Sequence, residues 1–155
     1  GLNMKIALKS LSSFSGVNRR MQIFSFGSNF IIDDYAHHPT EIKFVFETIQ
    51  SNYSNKENCV IFQPHLYSRT KFLINEFANE LSRFDKIYLL DIYPAREKKI
   101  KGISSKLLLS KIKKSSKKLI KKNQIKDKII NSKEKIFALL VAGDIGLEIN
   151  KLYYQ

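Results

Sequence analysis

A single cysteine, Cys59, in 155 residues excludes an intramolecular disulfide framework and suits a reducing compartment. It sits in the apolar run Cys59-Val60-Ile61-Phe62, where a buried, unreactive thiol is expected. Long hydrophobic runs are missing as well. The longest, Ile136 to Ala142, is far shorter than the roughly 20 apolar residues that cross a bilayer. The opening Gly1-Leu2-Asn3-Met4-Lys5-Ile6 lacks the apolar stretch of a secretory signal, so the expected setting is cytoplasmic, with no membrane partner. Three catalytic signatures are also absent. Without G-x-S-x-G there is no nucleophile elbow. Without G-x-x-x-x-G-K-S/T there is no phosphate loop to cradle a nucleotide triphosphate. Without a helical H-x-x-x-H pair, the three histidines, two of them adjacent, make a poor transition-metal set, and no metal ligands are assigned.

Acidic residues are scarce in one region. The net charge of +13 comes from positions 96–135, where sixteen Lys or Arg face only Glu97, Asp127 and Glu134; elsewhere each sign is represented eleven times. The excess is nearly all lysine, and no aromatic residue lies between Lys98 and Lys135. A single-strand binder interleaves aromatic platforms with its charges, and a base reader favours arginine. A non-catalytic nucleic-acid-binding module is therefore the weaker reading, and solvated helix faces with a loop are the simpler one.

What is present fits one compact domain: 155 residues with 43% hydrophobic content support a core, and no linker divides them. Met21–Phe26 and Phe30–Asp33 flank Gly27-Ser28-Asn29 as a hairpin. Pro39 suits a first helical turn, and Ile42, Val45, Phe46 and Ile49 share one helix face. The same reading predicts a strand at Cys59–Phe62, a helix over Thr70–Phe84, and a strand at Lys86–Ile92. A polar turn over Pro94–Gly102 then leads to a helix from Ser104-Ser105 through Ile112. Residues 113–135 read as a continued helix or a loose connection. The last strand is Ile136–Ala142, followed by a helix capped by Asp144. Apolar strands alternating with helices imply an α/β, Rossmann-like fold: a mostly parallel sheet, helices on both faces, and an N-terminal β-hairpin.

Ligands of open α/β sheets bind beyond the carboxyl ends of the strands. Those positions hold Asp33-Asp34-Tyr35-Ala36-His37-His38-Pro39, then Gln63-Pro64-His65-Leu66-Tyr67-Ser68-Arg69-Thr70, then Asp91-Ile92-Tyr93-Pro94-Ala95-Arg96-Glu97, and last Gly143-Asp144. All three histidines fall on two of these turns. Aspartates, imidazoles, tyrosines and arginines gathered there suit a small zwitterion and the edge of a phosphate. Simpler roles stand beside these: Arg19 and Arg20 as a solvated pair, Tyr67 and Tyr93 as packing residues, Asp91 and Asp144 as caps.

These segments carry a resemblance. Asp33-Asp34-Tyr35-Ala36-His37-His38-Pro39-Thr40-Glu41 resembles the D-D-Y-x-H-H-P-T-E signature of Mur ligases that join L-alanine to UDP-N-acetylmuramate. Phe62-Gln63-Pro64-His65-Leu66-Tyr67-Ser68-Arg69-Thr70 is similar to their F-Q-P-H segment. Leu90 to Glu97, Gly102 to Ser105 and Ala142 to Ile145 follow in the family's order. Upstream, Phe14 to Arg20 resembles F-x-G-V-x-R-R.

The resemblance implies the C-terminal, amino-acid-binding domain of a three-domain ATP-dependent ligase in peptidoglycan synthesis. ATP and Mg2+ would be the cofactors, with the metal held mainly by a central domain. The UDP-sugar and ATPase domains are expected to be absent from these 155 residues, which alone should be inactive; they would act in cis or in trans. Within the resemblance, Arg20 reaches the transferring phosphate and Asp34 the ATP ribose. Tyr35, His37, His65, Arg69 and Asp144 line the L-alanine site, and Arg20 and His37 serve the chemistry. Leu66 stands where some relatives carry Arg, leaving Arg69 as the one cation on its turn. A ligase that adds a preformed tripeptide to UDP-N-acetylmuramate is the alternative within the family.

Overall fold

The computed structural model describes residues 3–13 and 16–143. Six strands form one sheet in the order β1-β2-β6-β3-β4-β5: β1 Gln22–Phe26, β2 Asn29–Asp34, β3 Asn58–Gln63, β4 Lys86–Leu89, β5 Lys117–Leu119 and β6 Ile136–Val141. Only the β1–β2 pair is antiparallel. Its turn is tighter than expected. Asn29 pairs with Phe26, so Gly27-Ser28 is the whole loop, and Gly27 supplies the positive φ of +59° that such a turn requires.

Side-chain alternation along the buried strands separates two cores. Ile32, Val60, Phe62, Leu89 and Leu140 face one side, covered by α2 (Pro39–Tyr53), α4 (Ile74–Leu81) and α5 (Ser105–Lys111). Ile31, Cys59, Ile61, Leu139 and Val141 face the other, covered by Ile125 and Ile129 of α6 (Ile125–Ile130). The doubly covered α/β sheet is therefore as expected, and so is the thiol: Cys59 is fully buried, and burial pushes it well above its ordinary pKa.

Two expectations are corrected and one element is added. The helix expected over Thr70–Phe84 begins earlier and is broken at Leu73 into α3 (Tyr67–Phe72) and α4, because Leu73 leaves helical geometry at φ −110°, ψ 22°. The lysine-rich stretch is neither a continued helix nor a loose connection. It contains β5, a 3-10 turn at Lys122–Gln124, and α6. Ile120, Ile125 and Ile129 bury into the second core, while every lysine of the stretch stays exposed or half-buried. A three-residue strand is too short to show alternation, and its existence depends on pairing with β4. Lysine on this exposed strand is also what keeps a sheet edge from pairing with other chains. Finally, α1 (Met4–Ser12), capped by Asn3, has no counterpart in the sequence reading and buries none of its residues. Asp144 and the helix expected after it lie outside the described residues. Among the described residues no helix is long and apolar enough to cross a membrane.

Candidate functional site

The loops leaving β2 and β3 straddle the end of β6, because β6 pairs with both strands. Pro39 starts α2 where its missing N–H costs nothing. His38 takes the N-cap position, accepting the Thr40 N–H on Nδ1 at 3.3 Å. Glu41, three residues on, turns back so that Oε2 accepts the N–H groups of His37 and His38 at 2.7 and 2.9 Å. This is a capping box, and it latches the turn that presents His37. His38 itself is exposed and acts as a cap.

Burial alone would raise the Glu41 carboxyl, but those two N–H donors, His37 and Arg20 outweigh it and hold the pKa below the ordinary carboxylate value. Its stabilising contribution is therefore present above the unfolded carboxyl pKa of about 4.3 and fades as pH falls through the lower folded value. Glu41→Ala should lower stability at pH 7 by about 0.5–2 kcal/mol, the range for a lost N-terminal cap, with the deficit shrinking in acid. Urea unfolding at pH 7 and at pH 3.5 checks both statements.

His37 and His65 face each other with ring centroids 5.9 Å apart. Their partners set opposite tautomers. His37 Nδ1 lies 2.9 Å from the Tyr35 carbonyl and 3.6 Å from Glu41 Oε2, both acceptors, so in the neutral ring Nδ1 carries the proton and Nε2 is the acceptor. His65 Nδ1 lies 3.5 Å from Arg69 Nη1, which only donates, so the neutral ring carries its proton on Nε2. One imidazole thus offers an acceptor and the other a donor, with a guanidinium beside them. Burial first, then the charge of Arg69, lowers the His65 pKa below 6.5. A lowered histidine favours folding above the unfolded pKa of about 6.5, and that contribution is lost as pH falls through the folded value. The His65 Cε1–H resonance should titrate with a midpoint below 6.5, and Arg69→Ala should move it up; an unmoved midpoint would separate the two side chains.

Behind His65 stands Tyr93, its ring stacked at 5.5 Å. The two backbones are bridged: Leu66 N–H donates to Tyr93 O at 2.9 Å, and Tyr93 N–H to Pro64 O at 2.8 Å. Glu97 accepts from Ser68 N–H at 3.0 Å and from the Ser68 hydroxyl, fixing the start of α3 that carries Arg69. These hydrogen bonds lower the Glu97 pKa. At the end of β6, Gly143 fits against Gln63 and Tyr93, where an added Cβ would come within 2.9 Å of the Tyr93 ring. Gln63 is 2% exposed, and its Oε1 has no hydrogen-bond partner among the described residues.

The two arginines separate. Arg19 is pinned inward, Nε 3.6 Å from buried Asp33 Oδ1 and Nη2 donating to Val141 O, so the pair is not simply solvated. Arg20 remains 55% exposed over the site, 3.9 Å from Glu41 Oε1 and above the Tyr35 ring. Asp34 Oδ2 accepts the Met21 N–H at 2.8 Å. Asp34, Arg20, Met21, Glu41 and Phe44 line a recess of about 200 Å³. The recess thus carries one exposed guanidinium and one largely buried carboxylate. No group of three His, Cys, Asp or Glu among the described residues is placed to hold a metal. Among the described residues, the non-glycine residues with positive φ are Arg19 and Met21 ahead of β1, Leu66 after β3 and Ala95 after β4.

The structure thus brings together Arg20, Asp34, Tyr35, His37, His65 and Arg69. Glu41, Gln63 and Glu97 were not singled out by the sequence. The S/T-x-x-E capping pattern would have disclosed Glu41 had His38 been recognised as a cap; nothing local marks the other two.

Comparison with known proteins bears on this arrangement. Residues 19–145 match the family described as Mur ligase, glutamate ligase domain. The chain is 44% identical over 153 residues to the UDP-N-acetylmuramate–L-alanine ligase of Christiangramia forsetii, covering 98% of this chain and 34% of that protein. It is 48% identical over 139 residues to the same ligase of Flavobacterium psychrophilum, covering 89% and 31%. The chain therefore spans about a third of the curated relatives it matches. A UDP-N-acetylmuramate–alanine ligase of Thermotoga maritima superimposes with a TM-score of 0.72 at 27% identity, over 99% of this chain and 33% of that one. A Thermotoga maritima folylpolyglutamate synthase, with a TM-score of 0.69 at 13% identity, over 99% of this chain and 34% of that one, shares the fold.

Proposed function

Given that the chain belongs to the Mur ligase family, matching its glutamate ligase domain over residues 19–145, we propose that it is the acceptor-binding domain of an ATP-dependent ligase joining L-alanine to UDP-N-acetylmuramate. The observation that carries this reading is the opposed imidazole pair beside Arg69. The carboxylate of L-alanine takes hydrogen bonds from the Arg69 fork and His65 Nε2–H. Its ammonium faces the free Nε2 of His37. A proton moves from that ammonium to Nε2, which leaves the amine lone pair free to attack the carbonyl carbon of the muramyl acyl phosphate; the C–N bond forms, the C–O bond to the phosphoryl group breaks, and phosphate leaves carrying the second nitrogen proton. ATP, with Mg2+ held mainly by another domain, supplies the phosphoryl group that activates the muramate carboxyl. In this reading Arg20 stabilises the charge on the departing phosphate and Asp34 accepts from the ribose hydroxyls. Asp144 belongs to the same proposal as a partner for the ammonium. The remaining two domains act with this one in cis or in trans, in the cytoplasm.

The test is a chimera carrying this chain in place of the matching third of the Christiangramia forsetii ligase. Phosphate release should require ATP, UDP-N-acetylmuramate and L-alanine together, and the 155-residue chain by itself should release none. A folded chimera without alanine-dependent phosphate release contradicts the proposal.

A further inference from the structure

Beyond the carboxyl end of β4, where open α/β sheets bind their ligands, lies a cavity of about 620 Å³, within the size range of small-molecule sites. Asp91, Lys99 and Lys101 line it together with Ile92, Ile100 and Ile103. Arg20, Asp34, Tyr35, His37, His65 and Arg69 take no part in its lining. Local bonds set its walls. The Ile103 N–H donates to Ile100 O at 3.1 Å across a turn in which Gly102 supplies a φ of +82°. The Ser105 hydroxyl ties the end of that loop to Leu90 O at 2.7 Å. Glu97, bonded to Ser68, ties its middle to α3, whose Tyr67 forms another wall. The charges are left open, however. Lys86 is paired with Glu134 at 3.1 Å, and Lys114 approaches Asp85 at 3.7 Å. Among the described residues, the exposed side chains of Asp91, Lys99 and Lys101 have neither an ion-pair nor a hydrogen-bond partner, although all three reach one cavity.

We infer that this cavity is a second binding site, separate from the proposed alanine site, for a short apolar peptide held by its free termini. The peptide carboxylate meets the ammonium groups of Lys99 and Lys101, its own ammonium meets the Asp91 carboxylate, and its side chains lie on Ile92, Pro94, Ile100 and Ile103. Each part of the lining argues for this class. A phosphate or dicarboxylate offers no cation to Asp91 and is repelled by it. A sugar leaves the isoleucines without an apolar partner. A single amino acid carries both charges but fills only part of the space.

The experiment titrates the 155-residue chain with L-leucyl-L-leucine and follows its backbone amide resonances by NMR. The same dipeptide, N-acetylated in one series and C-amidated in another, serves as the comparison. Saturable shifts should be largest at Lys99, Ile100, Lys101 and Ile103. Blocking either terminus should weaken binding about two- to fivefold, the range of an exposed ion pair. Lys99→Ala combined with Lys101→Ala should remove the preference for the free carboxylate over the amide. Asp91→Asn should remove the preference for the free ammonium over the acetyl group. The three side chains are exposed and unpaired among the described residues, so these variants should fold as the parent does. Absence of saturable shifts overturns the inference, as do shifts centred on His37 and Arg69, or a terminus preference that survives these substitutions. Failure of the alanine-dependent phosphate release proposed above leaves this site standing, and failure here leaves that function standing, so the two are tested apart.

Discussion

Arg20→Ala should lower alanine-dependent phosphate release in the chimera by roughly 10²–10³-fold while leaving the fold intact, the loss typical when one preorganised donor to developing charge is removed. The size follows from what Arg20 does not do. Arg19, its neighbour, is used structurally, held by Asp33 and the Val141 carbonyl. Among the described residues, the Arg20 side chain has a 3.9 Å approach to Glu41 and a place over the Tyr35 ring, and more than half of it is exposed. Its removal leaves no buried charge behind, so stability should change by no more than about 0.5 kcal/mol, as for ordinary surface substitutions. Arg19→Ala gives the contrast: it strips buried Asp33 of this partner and should destabilise the fold. Thermal unfolding of both variants, read beside steady-state rates, checks the division. Similar stability losses in the two would mean that Arg20 is structural as well.

Gly143→Ala should cost about 1–3 kcal/mol of stability, as overpacking does, and about 10²-fold in activity. The added Cβ would meet Gln63 and lie 2.9 Å from the Tyr93 ring, so one or both must move. Tyr93 cannot shift freely, because its backbone is bridged to the His65 turn. Displacing the ring therefore displaces His65, and with it the donor that opposes His37. Gly143 does not need a left-handed backbone here; the constraint is close approach. Ser at this position should behave as Ala does, since both add the same carbon. Differential scanning calorimetry and the phosphate-release assay read the two effects separately.

Much of this was legible from the sequence. Ile42, Val45 and Ile49 announced α2 by spacing, and the apolar runs at Cys59–Phe62 and Ile136–Ala142 marked the central strands, because helix and strand periodicities are local properties. Placement of the histidines beyond the strands followed from the general position of sites in open α/β sheets. Three things were not legible. The edge strand Lys117–Leu119 depends on pairing with β4, which is a tertiary fact. The break at Leu73 is a backbone change with no proline or glycine to mark it. The imidazole tautomers depend on the Tyr35 carbonyl and the Arg69 guanidinium, and no spacing rule encodes those contacts. The resemblance to the Mur ligases gave Arg20 precedence over Arg19; the structure supplies a physical basis by showing how differently the two are held.

The central claim is that this domain delivers L-alanine to an activated muramate. The most direct measurement offers the chimera ATP, UDP-N-acetylmuramate, and equal concentrations of L-alanine and the tripeptide L-alanyl-γ-D-glutamyl-meso-diaminopimelate, then weighs the product by mass spectrometry. The L-alanine adduct should form, with no tripeptide adduct. A tripeptide adduct as the main product would contradict it.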